Sequence, residues 1–125
     1  HMPSRRQRQM CIRDSPQGFA CQSLDSLYRK LTDLDVPLFI HASSTDGVGG
    51  LKDDRLNQHN LSLSLGYAQE ETLAVAQLLL GGVLDRHPTL DVCVSHGGGT
   101  AAFLAEKMDQ LAQVDPAASE GVKQN

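Results

Sequence analysis

The sequence contains little that would place the protein in a membrane or outside the cell. Aromatic side chains make up 4% of the 125 residues. No apolar run approaches the ~20 residues that a membrane span requires. The first fifteen residues are polar and rich in arginine, without the apolar stretch of a secretory signal. The three cysteines are odd in number and lack metal-finger spacing. We therefore expect a cytoplasmic protein with reduced thiols and with Cys93 in its core.

The charge is unevenly distributed along the chain. Four arginines and one aspartate lie in residues 1–14, so the net charge of −4 leaves −7 on residues 15–125. A nucleic-acid-binding protein needs a basic face, and we therefore expect no nucleic-acid partner. The phosphate-binding patterns GxGxxG and GxxxxGKS/T do not occur in the sequence either.

The chain divides into three parts. Residues 1–15 show neither helical nor strand periodicity and resemble a cloning scar or translated adaptor DNA, so we expect them to be disordered. Residues 16–114 carry clear helix and strand patterns, and this length can bury a core. From residue 115 the composition turns to Pro, Ala, Ser and Gly, which predicts a frayed tail over residues 115–125.

The first half of the folded part predicts a helix and a strand. Apolar residues at helical spacing predict a helix over residues 24–34, and residues 36–40 form a short apolar run typical of a buried parallel strand. Residues 42–69 form a long connection, in which leucines at every second position allow a short strand over residues 61–65.

The second half repeats this alternation. A helix is predicted from Glu70 to a glycine stop at Gly81, a strand over residues 90–95, and a further helix after Gly99. The order helix, strand, helix, strand, helix is typical of an α/β fold with a parallel sheet. The predicted inward residues are Leu73, Ala76, Gln77 and Leu80 on the second helix, and Ala102, Phe103, Met108, Leu111 and Ala112 on the third.

Two of the five histidines directly follow the predicted strands. A parallel sheet in an α/β fold builds its active site at the carboxyl ends of its strands. Imidazole is a common metal ligand and an acid or base near neutral pH. His41 and His96 are therefore candidates for chemistry, although each could also be a structural residue of a turn. We predict that His59 is solvated and that His87 is a turn residue.

The glycines after His96 allow two interpretations. Gly97, Gly98 and Gly99 could let backbone N–H groups at a helix start approach a carboxylate or phosphate. They could equally form only the tight turn between a strand and a helix. The nearby acidic pairs, of which Glu70 and Glu71 are one, are predicted to be solvated faces rather than acid–base dyads.

Four blocks of the sequence stand in a characteristic order. They are residues 34–41 (LDVPLFIH), Glu71-Thr72, residues 82–90 (GVLDRHPTL) and residues 95–99 (SHGGG). Together these blocks resemble the amidohydrolase-related family typified by aminocarboxymuconate semialdehyde decarboxylase. The resemblance implies a (β/α)8 TIM barrel, of which the blocks correspond roughly to the fifth and sixth strands.

The resemblance also implies an activity and roles for individual residues. Members of the family decarboxylate, hydrolyse or hydrate small, often aromatic or ring-cleaved carboxylates with a divalent metal, for which we expect zinc and keep manganese as the alternative. His41 stands at the position of a metal ligand and His96 at that of the acid or base. Gly97, Gly98 and Gly99 are then expected near the charge of the substrate.

The sequence lacks parts of the family's metal site. That site needs a His-x-His pair on the first strand and an aspartate on the last, and neither motif occurs here. A complete barrel needs about 250 residues. We therefore expect an internal fragment of the enzyme that is inactive alone and self-associates through open strand edges and exposed apolar faces. The expected partner of the whole enzyme is a small carboxylate substrate, without nucleic acid or membrane.

Two alternative functions remain open at this point. The sequence His-Gly-Gly-Gly also forms the oxyanion loop of α/β-hydrolase esterases, but the required G-x-S-x-G nucleophile motif is absent from this sequence. A small standalone α/β module could instead bind an anion at its glycine turn without catalysing a reaction.

Overall fold

In the part of the chain that the structure describes, helices cover one face of a two-stranded parallel sheet, and the last helix packs against another helix. The computed structural model describes residues 18–42 and 54–118. The elements are α1 (Asp25–Asp33), β1 (Leu38–Ile40), α2 (Tyr67–Leu80), α3 (Val83–Arg86), β2 (Val92–Val94) and α4 (Ala101–Val114). Leu38 pairs with Val92 and Ile40 with Val94 in a parallel register. The predicted α/β class with parallel strands is confirmed, and α3 is an additional short helix.

The two faces of the sheet differ in exposure. Ile40 is buried and Val94 packs against the same core, whereas Phe39 is 69% exposed and Cys93 is also exposed. This alternation follows from the two-residue period of a strand. The prediction of a core position for Cys93 is wrong, because this residue lies on the face that the helices leave open. The strands are therefore buried on one face only.

The core lies between α1, α2 and the covered face of the sheet. Tyr28, Leu78 and Val83 are its most buried apolar residues, each exposed by 2% or less. The Tyr28 hydroxyl donates a hydrogen bond to the carbonyl oxygen of Phe19 at 2.7 Å, which satisfies its polar end. Burial, together with the nearby charge of Asp25, raises the pKa of Tyr28 to about 12.

The segment before α2 differs from its prediction. The structure forms a π-helix over Ser62–Gly66, which runs directly into α2, so the predicted short strand at residues 61–65 is wrong. Leucine favours helix as well as strand. Leu63 and Leu65 are more than half exposed, so these alternating leucines do not pack against a sheet. The helix consequently begins at Tyr67, before the predicted Glu70.

The buried faces of the later helices are shifted from those predicted. On α2 the buried residues are Glu71, Ala74 and Leu78, and Leu73 is 46% exposed. A pattern drawn from apolar residues alone misses this face, because one of its members is a carboxylate. On α4 the buried residue is Ala101, and the predicted inward residue Phe103 is 90% exposed. Of the other residues predicted to face inward on α4, Met108 and Ala112 are half-buried. Ala102 and Leu111 are exposed.

A polar contact joins the start of α1 to the end of α3. Oδ1 of Asp25 lies 3.1 Å from Nε2 of His87 and 3.3 Å from Nη2 of Arg86. His87 follows α3 as predicted for a turn residue, yet it is buried and its ring packs against Tyr28. Burial raises the pKa of Asp25, but hydrogen bonds from His87 and Arg86 outweigh it and hold this pKa below its usual value.

Candidate active site

The two strand-end histidines lie next to each other. His41 directly follows β1, and His96 is the second residue after β2. The parallel register brings both strand ends to one edge of the sheet, and the ring centroids are 5.2 Å apart. Tyr67, the first residue of α2, completes the cluster, with its ring centroid 6.4 Å from that of His41 and 6.1 Å from that of His96. His59 is exposed, as predicted.

Each of the two histidines forms a hydrogen bond through its Nδ1 atom. Nδ1 of His41 lies 2.6 Å from the carbonyl oxygen of Ala42, and Nδ1 of His96 lies 2.7 Å from Oε1 of Glu71. Carbonyl and carboxylate oxygens only accept hydrogen bonds, so the partners assign the proton to Nδ1 in each ring. In a neutral ring this leaves the lone pair on Nε2, the atom that can bind a metal or a proton.

Glu71 is a candidate site residue to which the sequence interpretation gave no role. Its side chain is 1% exposed, and Oε1 accepts hydrogen bonds from the Ser95 hydroxyl and from His96. Burial raises the pKa of Glu71, but these bonds and the backbone amide of Ala42 outweigh it and lower that pKa. The prediction of a solvated acidic face is wrong for Glu71. The sequence did contain a signal for the burial of Glu71. It precedes Ala74 by three residues and Leu78 by seven, which places all three on one face of a helix.

Thr72, the residue after Glu71, holds the other end of the same turn. Its hydroxyl oxygen accepts a hydrogen bond from the backbone N–H of Thr100 at 2.9 Å and donates to the carbonyl oxygen of Ala68 at 2.6 Å. Two adjacent residues of α2 therefore bind the first and the last part of residues 95–100.

The glycines of this turn have different structural roles. Gly97, Gly98 and Gly99 all have positive φ, as does His96 at +47°. A Cβ atom at Gly99 would lie 2.0 Å from the carbonyl oxygen of Ala68, so packing against α2 requires glycine there. At Gly97 a Cβ atom would meet open space. The tight-turn interpretation therefore holds for Gly99, and space for a ligand exists beside Gly97.

The described part of the chain contains only a fraction of a metal site. Within residues 18–42 and 54–118, no group of three His, Cys, Asp or Glu side chains lies close enough to hold a metal ion. A catalytic zinc ion normally has three protein ligands. His41 fits the role of one ligand through Nε2, and the described residues do not complete the set. No helix in this part of the chain has the length and apolarity to cross a membrane.

Comparison with known proteins identifies the family. The family model described as Amidohydrolase matches residues 5–116 of the chain. The chain therefore belongs to the amidohydrolase family, which confirms the resemblance drawn from the sequence and excludes the α/β-hydrolase alternative.

Individual relatives support the same assignment. The 2-amino-3-carboxymuconate-6-semialdehyde decarboxylase of Dictyostelium discoideum is 32% identical over 87 residues, which cover 70% of this chain and 23% of that protein. The 2-keto-4-carboxy-3-hexenedioate hydratase of a Sphingobium strain is 32% identical over 76 residues, covering 61% of this chain and 19% of that protein. The chain spans about a quarter or less of the length of the curated relatives that it matches.

A solved structure shares the fold. The apo form of IDCase from Metarhizium anisopliae superimposes with a TM-score of 0.67 at 29% identity, over 86% of this chain and 29% of that one. This likeness supports the predicted relation of the α/β fold to a TIM barrel.

Proposed function

We propose that the protein carrying this chain is a metal-dependent decarboxylase or hydrolase of small aromatic or ring-cleaved carboxylates. The main support is the pair His41 and His96, whose rings are 5.2 Å apart at neighbouring strand ends. In both rings Nδ1 is engaged, which leaves Nε2 for chemistry. The names of two similar proteins, a carboxymuconate-semialdehyde decarboxylase and a carboxyhexenedioate hydratase, point to unsaturated substrates with several carboxylates.

The proposal gives each candidate residue a role. His41 binds a divalent metal, zinc in our proposal, through Nε2, and the remaining ligands come from outside the described residues. Such a metal supplies Lewis acidity or activates water when bound. His96 accepts and donates a proton at Nε2. The turn of Gly97, Gly98 and Gly99 lies beside a carboxylate of the substrate.

The test uses the protein with this chain in its complete reading frame. Metal content is measured by mass spectrometry, and CO2 release is measured with a panel of unsaturated di- and tricarboxylates. We expect a stoichiometric divalent metal in the wild type, its loss in His41→Ala, and its retention in His96→Asn with turnover lower by about 100-fold or more. Release of CO2 separates decarboxylation from hydration or hydrolysis.

A matched control is His59→Ala, which removes an exposed histidine of the same chain. It should change neither metal content nor turnover. Full turnover of the wild type after complete chelation of its metal would contradict the proposal. For the 125-residue chain alone we propose no turnover. Tight binding of phosphate or acetate by this chain without metal would favour the anion-binding alternative instead.

A further inference from the structure

Glu71 is a charged side chain inside an otherwise apolar helix face. It is 1% exposed and shares the buried face of α2 with Ala74 and Leu78. A buried carboxylate costs free energy unless it is paired, and an apolar side chain of similar size often stabilises a fold equally well. The role of the charge therefore lies in the groups that it contacts, which are Ser95, His96 and the backbone amide of Ala42.

The contact with His96 decides which imidazole nitrogen carries the proton. An ionised carboxylate can only accept hydrogen bonds, and its Oε1 lies 2.7 Å from Nδ1 of His96. The hydrogen on Nδ1 leaves Nε2 with the lone pair. A free imidazole side chain favours the opposite form, with hydrogen on Nε2. A carboxylate partner on Nδ1 reverses that preference and fixes the ring orientation.

The backbone around His96 is held from the same helix. His96 has a φ of +47°, a backbone conformation that is uncommon for a residue with a side chain. The Ser95 hydroxyl donates to the Glu71 carboxylate, and Thr72 accepts the N–H of Thr100 at the far end of the turn. Glu71 thus contacts both the ring of His96 and the hydroxyl of the residue before it.

We propose that Glu71 is a positioning residue that holds His96 in the Nδ1–H tautomer and so presents Nε2 as the atom that accepts and returns a proton. This inference rests on the proposed function, in which His96 transfers that proton. During transfer the bond between the proton and its donor, the substrate or a water molecule, breaks as the bond to Nε2 forms, and the ring becomes an imidazolium. The Nδ1–H group stays hydrogen-bonded to Glu71, whose carboxylate remains ionised. The Nε2–H bond breaks when the proton is returned.

The tautomer is measured directly on the 125-residue chain. Histidine labelled with 15N is observed by NMR at about pH 8.5, where an ordinary imidazole is neutral. We expect wild-type His96 to be protonated at Nδ1. In Glu71→Gln, the amide can donate to Nδ1 as well as accept from it, so the population should shift towards the Nε2–H form.

The matched control is Glu106→Gln, which removes the same charge from an exposed position on α4. This variant should leave the His96 tautomer unchanged. An Nε2–H tautomer in the wild type, or an unchanged tautomer in a folded Glu71→Gln variant, would overturn the proposal. Should Glu71→Gln fail to fold, the tautomer of the wild type decides alone.

Kinetics of the complete enzyme separate this inference from the proposed function. Glu71→Gln should lower kcat by about 10- to 100-fold, with KM and metal content unchanged. A wild-type protein without metal or turnover would defeat the proposed function and leave the tautomer result standing. An active wild type together with an unaffected kcat in Glu71→Gln would defeat the positioning role and leave the function standing.

Discussion

The Glu71 carboxylate lies 2.7 Å from Nδ1 of His96, although the two residues are 25 positions apart in the sequence. The contact joins the buried face of α2 to the turn after β2. Through it, a helix that packs on the sheet also contacts a strand-end histidine. Packing and the candidate site are therefore coupled, and substitutions in α2 should affect both.

Loss of the Thr72 hydroxyl should loosen the start of α4. Thr72→Val keeps the shape of the side chain but removes the acceptor for the Thr100 N–H at 2.9 Å. We expect the free energy of unfolding to fall by about 1 kcal/mol, the usual net value of one hydrogen bond. Urea denaturation measures the change. Thr72→Ser retains the hydroxyl and should retain most of the stability, so equal losses in the two variants would contradict this explanation.

Two glycines of the turn should respond differently to alanine. At Gly99 the new Cβ atom would lie 2.0 Å from the Ala68 carbonyl oxygen, whereas at Gly97 it would meet open space. Both positions have positive φ, which costs a side chain about 1 to 2 kcal/mol. Gly97→Ala should lose about that amount, and Gly99→Ala should lose clearly more. Thermal unfolding of both variants by circular dichroism makes the comparison, and equal melting temperatures would refute it.

The contact of Asp25 with His87 and Arg86 should make stability depend on pH at the acid end. The pKa of Asp25 is lower in the folded chain than in the unfolded one. Its contribution is therefore present above the unfolded pKa and is lost as pH falls through the lower folded pKa. We expect Asp25→Asn to cost about 1 to 2 kcal/mol at pH 6, and progressively less as the pH falls below 3.8, the ordinary pKa of aspartate. Urea midpoints measured over this pH range test this, and a pH-independent difference would contradict it.

Neighbouring leucines on α2 should differ in their contribution to the core. Leu78 is 2% exposed, whereas Leu79 is 42% exposed. Leu78→Ala should lower the free energy of unfolding by about 2 to 5 kcal/mol, because it removes buried methyl groups and leaves a cavity. Leu79→Ala should cost less than about 1 kcal/mol. Chemical denaturation gives both values, and comparable losses would show that the core does not lie on this face.

Self-association of the chain remains a prediction. The structure contains exposed apolar residues that would mediate it. Phe39 on the open face of the sheet is 69% exposed, and Phe103 on α4 is 90% exposed. Beside α4, a groove of about 380 Å³ is lined by apolar residues that include Val75 and Leu79. Phe39→Ser with Phe103→Ser should lower the association constant in sedimentation velocity. A wild-type chain that stays monomeric at high concentration would disprove the prediction.

Local patterns in the sequence were sufficient for the helices and strands that begin and end with clear signals. The apolar spacing before Leu34 and the glycine stop at Gly81 both predict helix ends close to those observed. The short run before His41 predicts β1, and the strand ends predict where His41 and His96 stand. These features depend on residues near one another in the chain, so periodicity and turn chemistry reveal them.

Other features arise only from contacts between distant segments. The pattern of apolar residues predicts a face of α2 that is shifted from the buried one, because it passes over Glu71, which is buried against Ser95 and His96. Likewise, Phe103 and Cys93 are apolar residues that the fold leaves exposed. Hydropathy predicts burial for such residues, but the neighbouring elements decide whether anything covers them.

The sequence by itself thus determined the α/β class, the family, and the two histidines at the strand ends. Only the tertiary structure decided that the rings of these histidines adjoin. It also decided that Glu71 and Thr72 bind the turn between β2 and α4, and that Gly99 must be glycine. The physical reason is that residue type and spacing specify local backbone structure and chemistry. The partner of a buried carboxylate and the closeness of two backbones depend on how the elements pack.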